Sequence, residues 1–281
     1  MSGAQKHHVF PPPLDRHYRV ENGRVQTRSL EAHIVDHCNL TCAECCSLSP
    51  LLPPWCADPQ ALERDLRRCA SVLSPAVFKL VGGEPLLHPG LLEILERVRR
   101  TAIAPVISLT TNGLLLGEMP DAFWSALDAL TISRYPRPRL SGELIAQIET
   151  RAAHFGVRLN WKEQEQFVHM SRDPSTAGID ETQRVFHDCW IRERCHMIRG
   201  GVFYTCTRPA HLHTLHRGRI DFTGDGIRLH GGAGLREELL RYLQRDVPLL
   251  ACFHCRGGSA EMQPHRLLRR SQVEALRATY E

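Results

Sequence analysis

The chain has 281 residues, with 35 Lys and Arg against 31 Asp and Glu and a formal charge of +4 when histidine is neutral. Apolar residues make up 42% and charged residues 23%. That ordinary globular balance excludes a disordered chain and gives no strong pull towards nucleic acid or an anionic membrane. What stands out is 11 cysteines beside 16 histidines.

The first 29 residues are polar and proline-rich, with His7, His8 and Pro11-Pro12-Pro13. They read as a flexible arm and lack the basic-then-apolar order of a secretory signal. No stretch reaches the roughly 18 apolar residues of a membrane span, so the sequence predicts a cytoplasmic protein with reduced thiols and no membrane partner. Ala32-His33-Ile34-Val35 reads as a strand running into the first cysteines. Asp58 caps a helix with Pro59 at its first position and Leu62, Leu66, Cys69 and Leu73 on its apolar stripe, which makes Cys69 a core residue. A strand over 76–81 ends at Gly82-Gly83, a helix carries Leu91, Leu95 and Val98, and a strand over 106–109 ends at Thr110-Thr111-Asn112-Gly113. Leu130 to Ser133 is the next strand. Ser141 caps a helix with Leu144, Ile148, Ala152 and Phe155, closed by Gly156, and 157–161 is a further strand. Such alternation means βαβ units, an α/β fold with a parallel sheet, and an open or partial β/α barrel with its chemistry at the C-terminal strand ends.

Beyond residue 165 the pattern changes. A short helix is predicted over 181–188. The runs 195–199 and 202–206 flank Gly200-Gly201, a hairpin signal that sets Cys195 opposite Cys206. Leu235, Leu239 and Leu243 mark another helix, and the basic tail after Pro264 reads as surface-exposed or helical. His211, His213 and His216 face a substrate or sit on a solvated loop. The segments 97–100 and 266–270 are rich in arginine but lack the interleaved aromatics of a single-strand nucleic-acid channel, so nucleic acid is not an expected partner.

The cysteines cluster: Cys38, Cys42, Cys45 and Cys46; then Cys189, Cys195 and Cys206; then Cys252 and Cys255. An odd number in a chain of this length suits metal or thiol chemistry better than a disulfide framework. The CxxxCxxC spacing of Cys38, Cys42 and Cys45 puts three thiolates on one loop. They suit three corners of a [4Fe–4S] cubane with one iron left open, or a zinc ion with His37 or Cys46 as fourth ligand.

That loop follows the first strand, and Gly82-Gly83-Glu84-Pro85 ends the second, about 37 residues later. The combination resembles the radical S-adenosylmethionine (SAM) superfamily over residues 30 to about 165. The resemblance implies a partial (β/α)6 TIM-like barrel over 30–180. It implies a [4Fe–4S] cluster on Cys38, Cys42 and Cys45 with SAM on the open iron. It places Gly82, Gly83, Glu84 and Pro85 at SAM's methionyl amine, where glycines admit a zwitterion close to the backbone and a carboxylate or carbonyl pairs with the ammonium. Contacts to the ribose and carboxylate carry over to Thr111, Asn112, Ser133 and Arg134. One residue departs from the family pattern: Glu44 precedes the third cysteine, where an aromatic is usual.

Residues 181–258 resemble a Twitch domain, the shortened form of the SPASM extension, with a β-hairpin plus helix. Gly201 is followed by Cys206, and Cys252-Phe253-His254-Cys255 supplies a closing CxxC. This implies one auxiliary [4Fe–4S] cluster on Cys206, Cys252, Cys255 and either Cys189 or Cys195. The family spacing to Gly201 matches Cys189; the hairpin register favours Cys195. The unused thiol, and Cys46 beside Cys45, are left as hydrogen donors, so Cys46 and Cys189 are catalytic candidates. Residues 259–281 remain as a tail.

The implied activity is reductive cleavage of SAM to a 5′-deoxyadenosyl radical that abstracts a substrate hydrogen. The auxiliary cluster would assist oxidation or epimerisation of a small polar molecule, such as a sugar or aminocyclitol, in specialised metabolism. A flavodoxin- or ferredoxin-type protein is the expected electron donor. The alternative is a maturase acting on a precursor peptide; such enzymes often carry an N-terminal recognition domain, whereas about 29 residues precede the first predicted strand. A non-catalytic zinc-binding interaction module is the third reading.

Overall fold

The computed structural model describes residues 18–280, so most of the predicted N-terminal arm lies outside the described residues. Its elements in chain order are β1 (Val20–Glu21), β2 (Arg24–Val35), α1 (Pro59–Val72), β3 (Leu73–Gly82), α2 (Leu91–Thr101), β4 (Ile107–Thr111), α3 (Asp121–Ser125), β5 (Ala129–Arg134), α4 (Gly142–Phe155) and β6 (Arg158–Glu163). There follow β7 (Gln166–Val168), α5 (Ile179–Asp188), α6 (Ile191–Arg194), β8 (Met197–Arg199), β9 (Val202–Tyr204), α7 (Arg208–Leu215), β10 (Ile227–Arg228), α8 (Leu235–Leu243), β11 (Met262–Pro264) and α9 (Arg270–Ala278).

Local chemistry sets the boundaries. The Asp58 carboxylate accepts from Ala61 N at 2.7 Å and starts α1. Ser141 does the same for α4 through Leu144 N at 3.1 Å, and Gly156, at φ +70°, ends it in the left-handed conformation. The sheet runs β10-β9-β8-β2-β3-β4-β5-β6, with β1 on β2. From β8 to β6 all neighbours are parallel; β8, β9 and β10 are joined antiparallel. It is a mixed sheet built on a β/α parallel core.

Three expectations need correction. The first strand begins at Arg24, not near residue 30, so 24–29 belong to the sheet rather than to an arm. Its early half, Val25 to Ser29, pairs with β3 from Leu73 onward and so gains a ladder that its alternating polar sequence does not advertise. The sixth parallel strand is β8, which joins at the β2 edge instead of following β6. The hairpin thus extends the barrel sheet and is not a separate layer. Finally, residues 259–281 do more than form the expected exposed or helical tail: α9 is that helix, but β11 before it pairs with β7.

Strand side chains alternate between faces. One face, with Leu30, Ala32, Ile34, Phe78, Leu80, Ile107, Leu109, Leu130 and Ile132, packs on the helices in the main core, and Cys69 lies within it as expected. At about 25 cal/mol per Å² this apolar layer is the chief stabilising term. The opposite face is polar. Glu31, Lys79 and Ser108 lie in one register row across β2, β3 and β4, and Thr110, Thr131 and Asn160 in another across β4, β5 and β6. Parallel sheets are ordinarily apolar on both sides, so this polar face is a departure from the usual pattern. Among the described residues, no helix is long and apolar enough to cross a membrane.

Candidate active site

β2 carries the first cysteine loop to the C-terminal edge of the sheet. Its register with β3 shifts between His33 and Val35, just before the loop. Asp36 is fully buried and is held by Arg199 of β8 through Nε at 3.1 Å and through a second, very short bond from Nη2; Arg199 also lies over Trp55 at 4.3 Å. This paired charge anchors the loop root. Cys38, Cys42 and Cys45 then stand close together. Burial pushes Cys38 up to about 11 and Cys45 to about 12; burial and then the neighbouring Cys45 and Cys38 thiols push Cys42 higher still. Such thiols stay protonated without metal, whereas coordination to iron deprotonates them outright. Three soft sulfur donors on one buried loop are the donor set of an iron–sulfur cluster, and they fit it.

Gly82 and Gly83 fasten β3 to this loop. A Cβ on Gly83 would sit 2.1 Å from the His37 carbonyl oxygen, and one on Gly82 would sit 2.3 Å from that of Val35. The closeness allows Gly83 N to donate to Val35 O at 2.8 Å and Glu84 N to His37 O at 3.1 Å. The glycines therefore let β2 and β3 approach backbone to backbone. The Glu84 carboxylate is wholly buried and accepts from Leu86 N at 3.1 Å, Thr111 Oγ1 at 2.7 Å and Asn112 N at 2.8 Å. It ties the ends of β3 and β4 together. Pro85 opens the short 3-10 turn that Glu84 caps.

Thr111 is likewise committed, since its hydroxyl also accepts from Gly113 N at 3.0 Å. Asn112 reaches the loop: its Nδ2 donates to Asn39 Oδ1 at 2.7 Å and lies 3.9 Å from Cys38 Sγ. Ser133 is buried beside Tyr135. Arg134 turns outward, paired with Glu163 at 2.9 Å, and lines a cleft of about 250 Å³ with Tyr135, Arg139 and Glu165.

On the polar face, Lys79 Nζ pairs with Glu31 at 3.1 Å. His33 meets His211 of α7, Nδ1 to Nε2 at 3.2 Å, so His211 is buried rather than solvated. Burial, and then Arg199, lower His33 to about 3. The unfolded chain, at about 6.5, binds this proton first, so the His33 contribution is complete above that value and is lost as pH falls towards 3. The loss reaches about 2 kcal/mol by pH 5. A His33→Gln variant will lose less stability between about pH 7 and pH 5 than the parent; equal losses in chemical-denaturation curves would contradict this.

The second group forms one pocket. Cys189, Cys206, Cys252 and Cys255 line it with Met170, Ile191 and Leu249. Beyond burial, the thiols of Cys189, Cys252 and Cys255 are what raise Cys206. Cys195 does not line the pocket. Its hairpin register with Cys206 does extend the observed pairing of Met197 with Tyr204. Its thiol, though, sits in the field of Glu31 and Lys79 on the polar face, with Cys46 and Cys189 beyond. Cys189 thus lies in the pocket with Cys206, Cys252 and Cys255, while Cys195 packs nearby against Met170, Ile191 and Cys255. Cys46 is exposed, beside Cys45. All eleven cysteines are free thiols. Among the described residues, no three Cys, His, Asp or Glu side chains converge as the ligands of a single metal ion.

The C-terminal segment, expected only as an exposed or helical tail, also holds the loop. Ala43 N donates to Arg266 O at 2.9 Å, Leu268 N to Thr41 O at 2.8 Å, and Thr41 Oγ1 to Leu268 O at 2.8 Å. His265 Nε2 lies 3.2 Å from Cys42 Sγ. Glu44, in the place of the family's aromatic, pairs with His169 at 3.0 Å, while the neighbouring aromatic stack comes from Tyr135, Phe167 and His265.

Fold and site together define a class: a β/α protein with three clustered thiols on the loop after its first core strand and a glycine-fastened second strand beside it. No family model matches the chain. A GTP 3′,8-cyclase of Streptomyces coelicolor is 38% identical over 117 residues, covering 40% of this chain and 33% of its own. One from Synechococcus sp. strain WH7803 is 36% identical over 135 residues, covering 44% of this chain and 36% of its own. The chain thus spans about a third of the length of these curated relatives. The solved structure of BtrN in complex with AdoMet and 2-DOIA covers 86% of this chain and 98% of that one, at 11% identity and a TM-score of 0.44. Over the matched residues the chain is similar to the GTP 3′,8-cyclases, which supports its resemblance to the radical SAM superfamily.

Proposed function

We propose that this chain is a radical SAM enzyme that oxidises or epimerises a small polar molecule, with an auxiliary [4Fe–4S] cluster held by Cys189, Cys206, Cys252 and Cys255. The observation that carries the reading is the gathering of those four thiols in one pocket, separate from the Cys38, Cys42 and Cys45 loop. When loaded, the first cluster and SAM supply a 5′-deoxyadenosyl radical that takes a hydrogen atom from the substrate, and a second cluster can accept the further electron that completes an oxidation. The chain's own part is placement. Glu84, Thr111 and Asn112 fix the strand ends around the first loop, and the polar sheet face offers Glu31, Lys79, Ser108, Thr110 and Thr131 to a hydroxyl- or amine-bearing substrate. Those hydrogen-bonding groups favour a sugar or aminocyclitol over the apolar side chains of a peptide. Cys195 and Cys46 are the thiols placed to return a hydrogen atom if the outcome is epimerisation. A flavodoxin- or ferredoxin-type protein is the proposed electron donor.

The curated relatives are named for a reaction of GTP, and a match over 40% of this chain does not carry that substrate here. Two variants separate the ligand sets. Cys189→Ala should hold about four irons per chain after anaerobic reconstitution, and Cys195→Ala about eight. The reverse pattern would return Cys195 to the cluster. Assay of the reconstituted protein against aminocyclitols and amino sugars, with mass spectrometry for a two-hydrogen loss or solvent deuterium uptake, tests the reaction. Zinc as the sole bound metal would instead support an interaction module.

A further inference from the structure

We infer that His265, brought to the cysteine loop by the C-terminal segment, donates its Nε2–H to the Cys42 sulfur and raises the reduction potential of the cluster held there. The inference rests on the radical SAM reading of that loop and adds a residue outside its motifs.

Three observations on one segment carry it. The His265 Nε2 to Cys42 Sγ distance is 3.2 Å, within reach of a nitrogen–sulfur hydrogen bond. The ring is held on both sides of its role. Its backbone N donates to Glu165 O at 2.8 Å, and the imidazole stacks on Tyr135 at 4.9 Å between centroids and lies 5.5 Å from Phe167. The segment that carries it is joined to the loop on either side of Cys42, by Arg266 O to Ala43 N and by Leu268 to Thr41, with Cys42 and Leu267 paired as a bridge. His265 therefore cannot drift from Cys42 without breaking a run of backbone bonds.

The chemistry sets the direction of the bond. A metal-bound thiolate only accepts, so the contacting nitrogen must be the protonated one, which fixes the tautomer. A donor to a ligating sulfur stabilises negative charge on it. Reduction adds one electron to the cluster, so the bond strengthens in the reduced form and the potential rises. His265 is thus a positioning residue acting through Cys42.

The test is a redox titration of the reconstituted full-length protein with dithionite, followed by the electron paramagnetic resonance signal that changes on adding SAM. That change identifies the Cys38, Cys42 and Cys45 cluster. At the poise that half-reduces the parent, His265→Phe should show an equilibrium ratio of reduced to oxidised cluster about tenfold lower, a shift of about 59 mV to more negative potential. His265→Gln, whose side-chain amide still donates, should recover most of it. An unchanged potential in the phenylalanine variant overturns the inference, as do equal shifts in both variants, which would mean a packing role only. Should His265→Phe fail to hold iron, parent protein labelled with 15N-histidine decides. A weak histidine nitrogen coupling to the reduced cluster supports the bond, and its absence overturns it. Failure of the radical SAM reading looks different: no signal responds to SAM in any variant.

Discussion

Replacing Cys38, Cys42 and Cys45 together by alanine should leave about four irons per chain out of about eight, and no 5′-deoxyadenosine should form. The reason lies in the separation of the two thiol groups. Cys42 is raised by Cys45 and Cys38, whereas Cys206 is raised by Cys189, Cys252 and Cys255, so each set responds to its own members. The auxiliary pocket shares no ligand with the loop and should still load. Iron analysis together with product chromatography reads both halves of the expectation. Loss of all iron would mean that the second group needs the first. Continued cleavage of SAM would mean that the loop is not the site of the chemistry.

Gly83→Ala should be nearly as damaging. The new Cβ would meet the His37 carbonyl oxygen at 2.1 Å, its carbon at 2.5 Å and the Asp36 oxygen at 2.7 Å. All three are backbone atoms at the root of the cysteine loop, already fixed by Arg199 on Asp36. No rotamer relieves the overlap, so β2 and β3 must part. That endangers the bonds from Gly83 N to Val35 O and from Glu84 N to His37 O, and it pulls on the buried Glu84 that joins Thr111 and Asn112. Overpacking and two lost backbone bonds together cost about 3–5 kcal/mol, a melting-temperature drop on the order of 10 °C. Iron should be lost from the first loop ahead of the second. A variant that melts like the parent and keeps about eight irons would show that the close approach is not needed.

How far the sequence reaches depends on how local each feature is. The βα alternation, the Asp58 and Ser141 caps and the Gly156 stop are set by neighbours in the chain, and the elements follow them. The cysteine loop and the double glycine are legible for the same reason: their spacing is short and each ends a core strand. What the glycines do was not legible. Their partner is the backbone of Asp36 and His37, which only the pairing of β2 with β3 brings near. The partners of Glu84 were not legible either: two of its three donors, Thr111 Oγ1 and Asn112 N, come from the end of β4, which only the pairing of β3 with β4 brings near. The choice between Cys189 and Cys195 turns on the same limit. The hairpin register was read correctly, with Ile198 opposite Phe203. Being opposite in a hairpin does not decide which thiols line one pocket: Cys189 lines it with Cys206, whereas Cys195 also lies in the field of Glu31 and Lys79. The C-terminal segment was hardest. Its partners, Gln166 to Val168 and Thr41 to Ala43, lie far upstream, and its arginines disguise the β-pairing as a solvated tail.

The central claim is that the loop after β2 and the glycine-fastened end of β3 form a working SAM site. The most direct measurement is the yield of 5′-deoxyadenosine and methionine when anaerobically reconstituted protein is given SAM and dithionite. The account predicts that both appear in equal amounts and that neither appears without the reductant. Protein carrying its full iron, reduced, and yielding no 5′-deoxyadenosine would contradict it.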